Sequence, residues 1–221
     1  MKKSFLPFTT TLMGSMPRSK ELLELKEKLK NDKSLMPQYR EMVYKETKSL
    51  IDMYERVGLD VIVTGELARD NYMSYVAEHV NGVQLMSMEE IKALTECSDR
   101  FDESLKEMDA SDNSMNSPVC VGRIDIEAEM DSGELKILRE NSSKPFKATL
   151  PSPYLLTRSM WQKGLTKQFY KNRKELGEDV VKLLVNEIKR IVSMGAAVIQ
   201  IDEPILSEVV FVKGKGDASF Y

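Results

Sequence analysis

The sequence contains few cysteines and no long apolar stretch. Its only two cysteines, Cys97 and Cys120, exclude a disulfide framework and favour a reducing, cytoplasmic location. No apolar run approaches the roughly 20 residues that a transmembrane helix needs. The apolar segment Ser4–Phe8 is also too short and too interrupted for a signal peptide. We therefore expect a cytoplasmic protein without a membrane partner.

The charge balance lacks the basic excess that is typical of nucleic-acid-binding proteins. The formal net charge is −3, with 30% charged and 42% hydrophobic residues. Binding to a phosphate backbone requires clustered lysines and arginines, so no nucleic-acid partner is expected. These proportions are typical of a soluble globular protein. A chain of 221 residues can bury one core, and we predict a single domain over residues 1–221.

Segments with strand-like and helix-like patterns alternate along the chain. Between the strands, apolar residues at helical spacing predict amphipathic helices. Repeated strand–helix units imply a parallel sheet with right-handed crossovers. The five predicted strands are Phe8–Met13, Asp60–Glu66, Pro118–Arg123, Pro145–Leu150 and Ala196–Ile201.

Capping and turn residues mark where several helices begin and end. Ser19 is a predicted N-cap, and Pro37 is a predicted first-turn residue of a longer helix. Gly58 and Gly195 predict helix ends. The long helix before Gly195 is predicted to bury one face, formed by Val181, Leu184, Ile188, Ile191 and Val192.

Three shorter helices and one loop complete the predicted organisation. The helices are expected over residues 68–80, 88–96 and 133–141, from their apolar spacing. Polar and small residues near 109–117 predict a mobile loop.

Polar residues cluster where the predicted strands end, and no Gly-rich dinucleotide fingerprint or P-loop is present. The active sites of (β/α)8 barrels gather at the C-terminal ends of their strands. This pattern favours a (β/α)8 barrel over an open doubly wound sheet, with about the first five βα units in this chain. The strand-end residues are Gly14-Ser15, Gly65-Glu66, Arg123-Asp125, Ser152 and Asp202-Glu203.

Several of these segments resemble motifs of one family in the same order. Thr9-Thr10-Thr11 with Gly14-Ser15-Met16-Pro17 is similar to a threonine-rich opening followed by Gly-Ser-aromatic-Pro. Residues 58–66 resemble a Gly-Leu-Asp-Val-Leu-Val-His-Gly-Glu strand, and 118–122 resemble Pro-Ile-Ile-Val-Gly. Residues 144–153 resemble Lys-Pro-Val-Lys-Gly-Met-Leu-Thr-Gly-Pro, and 199–204 match Ile-Gln-Ile-Asp-Glu-Pro. Together they resemble the C-terminal catalytic domain of cobalamin-independent methionine synthase, in its short core form.

This resemblance implies transfer of a methyl group to the thiol of homocysteine, giving methionine. In that family a zinc ion acidifies the thiol, whose pKa is otherwise near 8.5. The resemblance places Glu66 and Asp202 against the substrate ammonium group. It places Gly14 and Ser15 against the substrate carboxylate. No catalytic residue is assigned within the chain.

The family's zinc ligands follow the Ile-Asp-Glu-Pro strand as His-x-Cys, Glu and Cys, and they have no counterpart before Tyr221. We therefore expect no metal ligand in this chain, and we expect the 221 residues to be part of a longer barrel. His79, Cys97 and Cys120 do not fall on the ligand motifs. The methyl donor implied by the resemblance is methyltetrahydrofolate or methylcobalamin, the latter with a corrinoid protein as partner.

Other functions stay open from the sequence alone. One alternative is a catalytically inactive barrel fragment that binds a ligand or partner. Another is a corrinoid-dependent methyltransferase or an enzyme like uroporphyrinogen decarboxylase, since these share the barrel architecture. Five strands would leave open edges, which predict possible self-association.

Overall fold

The computed structural model describes residues 5–69, 73, 75–94, 116–131 and 133–205. Cys97 lies outside these residues, as does most of the loop predicted near 109–117. Ser117, at the end of that predicted loop, already belongs to a strand.

Helices and strands alternate through the described part of the chain. The helices are α1 Lys20–Leu29, α2 Met36–Arg56, α3 Tyr75–His79, α4 Met88–Leu94, α5 Glu134–Asn141, α6 Pro153–Met160, α7 Lys163–Thr166 and α8 Arg173–Ser193, with a 3-10 turn at Lys33–Leu35 before α2. The strands are β1 Val83–Met86, β2 Ser117–Cys120, β3 Lys147–Pro151 and β4 Val198–Asp202. Within the described ranges, no helix combines the length and apolar character needed to cross a membrane.

The predicted helix boundaries are confirmed where capping residues mark them. The Ser19 hydroxyl accepts a hydrogen bond from the Leu22 N–H at 3.0 Å and caps α1. Pro37 lies in the first turn of α2, where its missing N–H costs nothing. Beyond α2, Gly58 has φ of +77°, a conformation that glycine adopts without strain.

Parallel pairing connects four of the five predicted strands in chain order. Thr11 pairs with Val61, and Ile62 pairs with Phe146, both in parallel bridges. β3 and β4 then pair in parallel, from Lys147 opposite Val198 to Pro151 opposite Asp202. Successive parallel strands that are neighbours in space, with α8 between β3 and β4, are the arrangement of a (β/α)8 barrel. The described residues thus form the first part of such a barrel.

The strand predicted over Pro118–Arg123 pairs differently from the other four. It forms β2, which is antiparallel to β1, with Val83 opposite Cys120 and Met86 opposite Ser117. The expectation of parallel pairing here was wrong because β1, a short segment without a clear strand pattern, supplies the partner. Gly82 permits the close approach: a Cβ there would lie 2.3 Å from the Arg123 carbonyl oxygen.

The main core lies between β3 and the helices that cover it. Phe146, Ala148 and Leu150 alternate along β3, and all three belong to the largest cluster of buried apolar side chains. Successive residues of a strand point to opposite faces, so Lys147 and Thr149 point to the face that lines the barrel interior. Polar side chains are thereby placed inside the barrel, next to the strand ends.

The buried face of α8 differs in part from the predicted one. Leu184 and Ile191 are buried as expected, but Val181 and Val192 are 45% and 57% exposed. The helix carries two apolar stripes, and the one that packs on the core is Leu176, Val180, Leu183, Leu184 and Ile191. The apolar spacing alone could not tell which stripe faces the sheet.

This orientation of α8 predicts very different costs for two truncations on the same helix. Leu183, fully buried at 0% exposure, should lose about 2–5 kcal/mol of unfolding free energy when replaced by alanine. Val181→Ala, on the exposed stripe, should change it by at most about 0.5 kcal/mol. Urea unfolding of both variants measures the difference. Equal losses would contradict this orientation, and a larger loss for Val181→Ala would show that the helix packs through its other face.

Candidate functional site

Two carboxylates lie at the C-terminal ends of different parallel segments. Glu66 follows the Val61–Ile62 segment and is 7% exposed. Its φ is +56°, an uncommon conformation for a residue with a side chain. Asp202 is the last residue of β4. The two carboxylates interact electrostatically, since the Asp202 charge raises the pKa of Glu66.

Burial is the main reason that the pKa of Glu66 is raised above its ordinary value. Desolvation disfavours the ionised carboxylate. The positive charges of Arg69 and Arg18 act in the opposite direction, while the negative charges of Asp202 and Glu134 raise the pKa further. Glu66 thus lies among charges of both signs.

The loop of Gly14 and Ser15 lies directly beside the turn that carries Glu66. The Met16 N–H donates to the Gly65 carbonyl at 2.9 Å. A Cβ on Gly65 would meet Leu50 Cδ1 at 2.7 Å and Met16 Cγ at 3.0 Å, so only glycine fits there without rearrangement. Gly14 and Ser15 are both exposed. The structure thus brings the exposed Gly14-Ser15 loop next to the turn that carries Glu66.

Arg18 fixes the turn that carries Glu66. Its guanidinium donates to the carbonyl oxygens of Leu67 and Glu66, each at 3.0 Å, and also to that of Arg69. Residues 65–68 form a turn, and these hydrogen bonds from Arg18 stabilise it. Among the residues that the structure describes, the helix predicted over 68–80 is found at α3.

Removal of this guanidinium should loosen the turn. Arg18→Met deletes hydrogen bonds from a charged donor, each of which contributes about 1.5–3 kcal/mol, and partial exposure of Arg18 reduces the total. We expect a loss of about 2 kcal/mol in unfolding free energy. Arg40→Met, at an exposed position of α2, is the matched control and should cost at most about 0.5 kcal/mol. Equal stability of the two variants in thermal unfolding would show that Arg18 does not hold the turn.

A buried ion pair lies beneath the same turn. Arg69 Nε is 3.2 Å from Glu134 Oε2, and both side chains are almost fully buried. The other Glu134 oxygen accepts from the Ala68 N–H at 3.2 Å. Arg69 also donates to the Thr149 carbonyl at 3.0 Å and stacks 4.3 Å from the centroid of the Tyr75 ring. The pair joins the Glu66 turn to β3 and to the first residue of α5.

A buried lysine lies on the interior face near Asp202. Lys147 is 5% exposed, and its ammonium group donates to Leu12 O at 2.7 Å and to Gln200 Oε1 at 2.6 Å. Gln200 in turn donates to Asp202 Oδ1 at 2.7 Å. Burial lowers the pKa of Lys147, and the charges of Asp202 and Glu66 partly oppose this effect.

The ends of β3 and β4 are also joined to each other. The Ser152 N–H donates to the Asp202 carbonyl at 2.9 Å. The Ser152 hydroxyl caps α6 by accepting from the Leu155 N–H at 3.0 Å, and it donates to the Glu203 carboxylate. Glu203 is thereby bound to the N-terminus of α6, while the Asp202 side chain points to the interior face with Gln200.

Other candidate residues have structural partners. Arg123 forms ion pairs with Glu175 at 2.6 Å and with Asp179 at 3.4 Å. The His79 ring nitrogen Nδ1 lies 2.8 Å from the Tyr75 carbonyl oxygen. Cys120 is buried in β2. Among the residues that the structure describes, no group of three or more His, Cys, Asp or Glu side chains could hold a metal ion.

Sequence reasoning missed the residues that surround the two carboxylates. A signal existed for Lys147 and Gln200. Lys147 interrupts an apolar strand. Gln200 precedes Asp202 by two residues, so Gln200 and Asp202 lie on one face of β4. No local signal pointed to Arg18, because its contacts join residues that are distant in the sequence. Arg69 begins a segment that approximates an Arg-Asn-Asp-Met motif of the family, but nothing in the sequence indicated its partner Glu134.

The sequence matches one family model over nearly its whole length. The model is described as the catalytic domain of cobalamin-independent synthase, and it covers residues 8–221. Among curated proteins, the 5-methyltetrahydropteroyltriglutamate–homocysteine methyltransferase of Bacillus cytotoxicus is 25% identical over 209 residues. This match covers 93% of the chain and 24% of the relative. The chain thus spans about a quarter of the length of the curated relatives it matches.

Two solved structures share the fold. A B12-independent methionine synthase from a Shewanella species, solved in complex with selenomethionine, superposes with a TM-score of 0.57 and 18% identity. That match covers 89% of this chain and 51% of the Shewanella chain. A putative vitamin-B12-independent methionine synthase from Listeria monocytogenes gives a TM-score of 0.64 and 17% identity, covering 93% and 55% of the two chains.

Proposed function

Because the chain belongs to the family of cobalamin-independent synthase catalytic domains, we propose that its strand-end site binds homocysteine for methyl transfer to the thiol, which yields methionine. The observation that carries this proposal is the arrangement of the two carboxylates. Glu66 and Asp202 come from different strand ends and interact electrostatically. The turn of Glu66 lies beside Met16, and hydrogen bonds through Gln200 and Lys147 join Asp202 to the Leu12 carbonyl.

The proposed roles follow from charge and position. Glu66 and Asp202 bind the substrate ammonium group, and exposed backbone N–H groups of Gly14 and Ser15 bind the substrate carboxylate. The ammonium group of the ligand has a charge opposite to that of both carboxylates. In a desolvated site such pairing is strong.

In the methyl transfer the homocysteine thiol loses its proton and its sulfur bonds to the methyl carbon, while the bond between the methyl group and its donor breaks and its electron pair stays with the donor. The relatives are 5-methyltetrahydropteroyltriglutamate–homocysteine methyltransferases, which supports a methyltetrahydropteroyltriglutamate donor, and methylcobalamin is the alternative donor. No observation in the described residues favours a corrinoid partner, self-association or a decarboxylase-like reaction. We propose a methyltransferase that acts in the cytoplasm within methionine biosynthesis, with residues 1–221 in one domain.

Zinc would supply an acidified thiol in this reaction. The described residues do not fit a zinc site, since they offer no cluster of suitable ligands. His79 and Cys120 also bond to backbone carbonyls. We therefore assign to these residues recognition of the amino-acid end of homocysteine, and we derive no step through the metal.

Calorimetric titration of the chain with L-homocysteine tests the proposal. We expect one ligand per chain, and competition by L-methionine, which carries the same ammonium and carboxylate groups. The analogue of homocysteine without the amino group should bind much more weakly. Absence of L-homocysteine binding, or equal affinity for both ligands, would contradict the proposed site.

The raised pKa of Glu66 predicts that L-homocysteine binding weakens as pH falls, beginning above the ordinary glutamate range near 4.5. The ionised carboxylate is the form that pairs with the ammonium group. The effect on the free energy of unfolding has the opposite sign. Between the ordinary pKa of glutamate and the raised pKa of Glu66, the folded chain keeps the Glu66 carboxyl proton while the unfolded chain releases it. The stability that Glu66 contributes is therefore present at low pH and is lost as pH rises.

Glu66→Gln should remove the part of the pH dependence of binding that lies above the ordinary glutamate range. Calorimetric titrations of wild type and variant between pH 4 and 8 (chosen to bracket roughly the carboxyl and neutral ranges) measure this change. An unaltered pH profile in the variant would show that Glu66 is not the titrating group.

A further inference from the structure

A continuous series of hydrogen bonds leads from the Leu12 carbonyl, next to the Thr11–Val61 bridge, to the Asp202 carboxylate. Lys147 Nζ donates to Leu12 O at 2.7 Å and to Gln200 Oε1 at 2.6 Å. Gln200 Nε2 donates to Asp202 Oδ1 at 2.7 Å. The series crosses the interior face of the parallel strands, because Lys147, Gln200 and Asp202 occupy alternate positions on the neighbouring strands β3 and β4.

Only one direction of hydrogen bonding is possible along this series. An ammonium group has donors and no acceptor, so Gln200 must face Lys147 with its carbonyl oxygen. The Gln200 amide nitrogen then faces Asp202, whose ionised carboxylate can only accept. Lys147 thus determines the orientation of the Gln200 amide, and the amide determines which Asp202 oxygen is already occupied.

Lys147 occupies a position that would ordinarily favour an apolar residue. It is 5% exposed, and it interrupts a strand whose other face carries Phe146, Ala148 and Leu150. Burial of an ammonium group is costly unless the group is paired and hydrogen-bonded. Here the carboxylates of Asp202 and Glu66 provide opposite charge, so the lysine and the candidate site stabilise each other.

We propose that Lys147 and Gln200 are positioning residues, which hold the Asp202 carboxylate with Oδ1 bound to the protein and Oδ2 directed to the substrate ammonium group. This inference rests on the proposed function. A fixed carboxylate avoids the entropic cost of ordering when the ligand binds. The two residues should therefore affect recognition of the ammonium end and leave recognition of the carboxylate end unchanged.

The test compares the affinities of two probes, L-methionine and its analogue without the amino group, for the full chain. We expect wild type to bind L-methionine at least about 100-fold more tightly, as two charge-assisted hydrogen bonds would give. Gln200→Met should weaken L-methionine binding about tenfold and leave binding of the analogue unchanged. Lys147→Met should have the same selective effect. Gln84→Met, at an exposed position of β1, is the matched control and should change neither affinity.

The outcomes distinguish failure of the positioning role from failure of the proposed function. If wild type prefers L-methionine and Gln200→Met keeps the full preference, the positioning role is overturned while the proposed function stands. An equal loss for both probes would indicate a merely structural role and also overturn it. If wild type binds neither probe, both the proposed function and this inference fail.

A measurement on wild type alone covers the case in which the variants do not fold. The side-chain amide of Gln200 can be followed by nuclear magnetic resonance. We expect slow hydrogen exchange of this amide and a change in its chemical shift when L-methionine binds but not when the analogue binds. Fast exchange with no response to L-methionine would overturn the proposal.

Discussion

Replacement of Arg69 by methionine is expected to lower the free energy of unfolding by about 3–5 kcal/mol. Arg69 and Glu134 form an ion pair at 3.2 Å, with side chains that are 8% and 2% exposed. The substitution leaves the Glu134 carboxylate buried without its cation. It also removes the hydrogen bond to the Thr149 carbonyl and the stacking on Tyr75. Urea unfolding measures the loss.

The double variant Arg69→Met with Glu134→Leu separates the ion pair from packing. Removing both charges avoids an unpaired buried carboxylate, and such replacements are often neutral. We expect the double variant to be more stable than Arg69→Met alone. Arg139→Met, at an exposed position of α5, controls for the loss of a positive charge. A double variant as unstable as the single one would show that the unpaired charge is not the cause.

The second large effect concerns ligand binding. Glu66→Gln and Asp202→Asn should each weaken L-homocysteine binding about 100-fold, because each removes a charged partner of the ammonium group in a partly desolvated site. Each substitution keeps the size of the side chain. The loss should therefore appear in the dissociation constant measured by calorimetry, with little loss of stability.

Two controls make this result specific. Glu89→Gln, at an exposed position in the first turn of α4, changes the net charge equally and should leave binding unaltered. The analogue of homocysteine without the amino group should bind all four proteins equally weakly. If Glu66→Gln or Asp202→Asn bound L-homocysteine as tightly as wild type, that carboxylate would have no part in ammonium recognition.

The features that local sequence patterns determine could be predicted. Apolar runs that end in polar residues identified the parallel strands, and Ser19 and Pro37 identified the starts of two helices. Alternating strands and helices predicted a parallel sheet, and polar residues at the strand ends favoured a (β/α)8 barrel over an open sheet. The sequence predicts Glu66 and Asp202 at strand ends, and the β3–β4 register confirms that placement for Asp202. Their proposed role in binding stays a prediction.

Features that depend on long-range packing could not be predicted. The antiparallel β1–β2 pair requires a strand of four residues with no clear pattern. α8 has two apolar stripes, and only its neighbours decide which stripe is buried. Arg18 bonds to Glu66 across 48 residues, and Arg69 bonds to Glu134 across 65. A single sequence gives no signal for which distant residues form such a pair.

The most direct test of the account is the structure of the chain with bound L-homocysteine. We predict that the ammonium nitrogen lies within hydrogen-bonding distance of Glu66 and of Asp202 Oδ2. We also predict that the substrate carboxylate lies against the backbone N–H groups of Gly14 and Ser15, with Asp202 Oδ1 still bonded to Gln200. A ligand bound elsewhere, or bound with its carboxylate towards Glu66 and Asp202, would contradict the account.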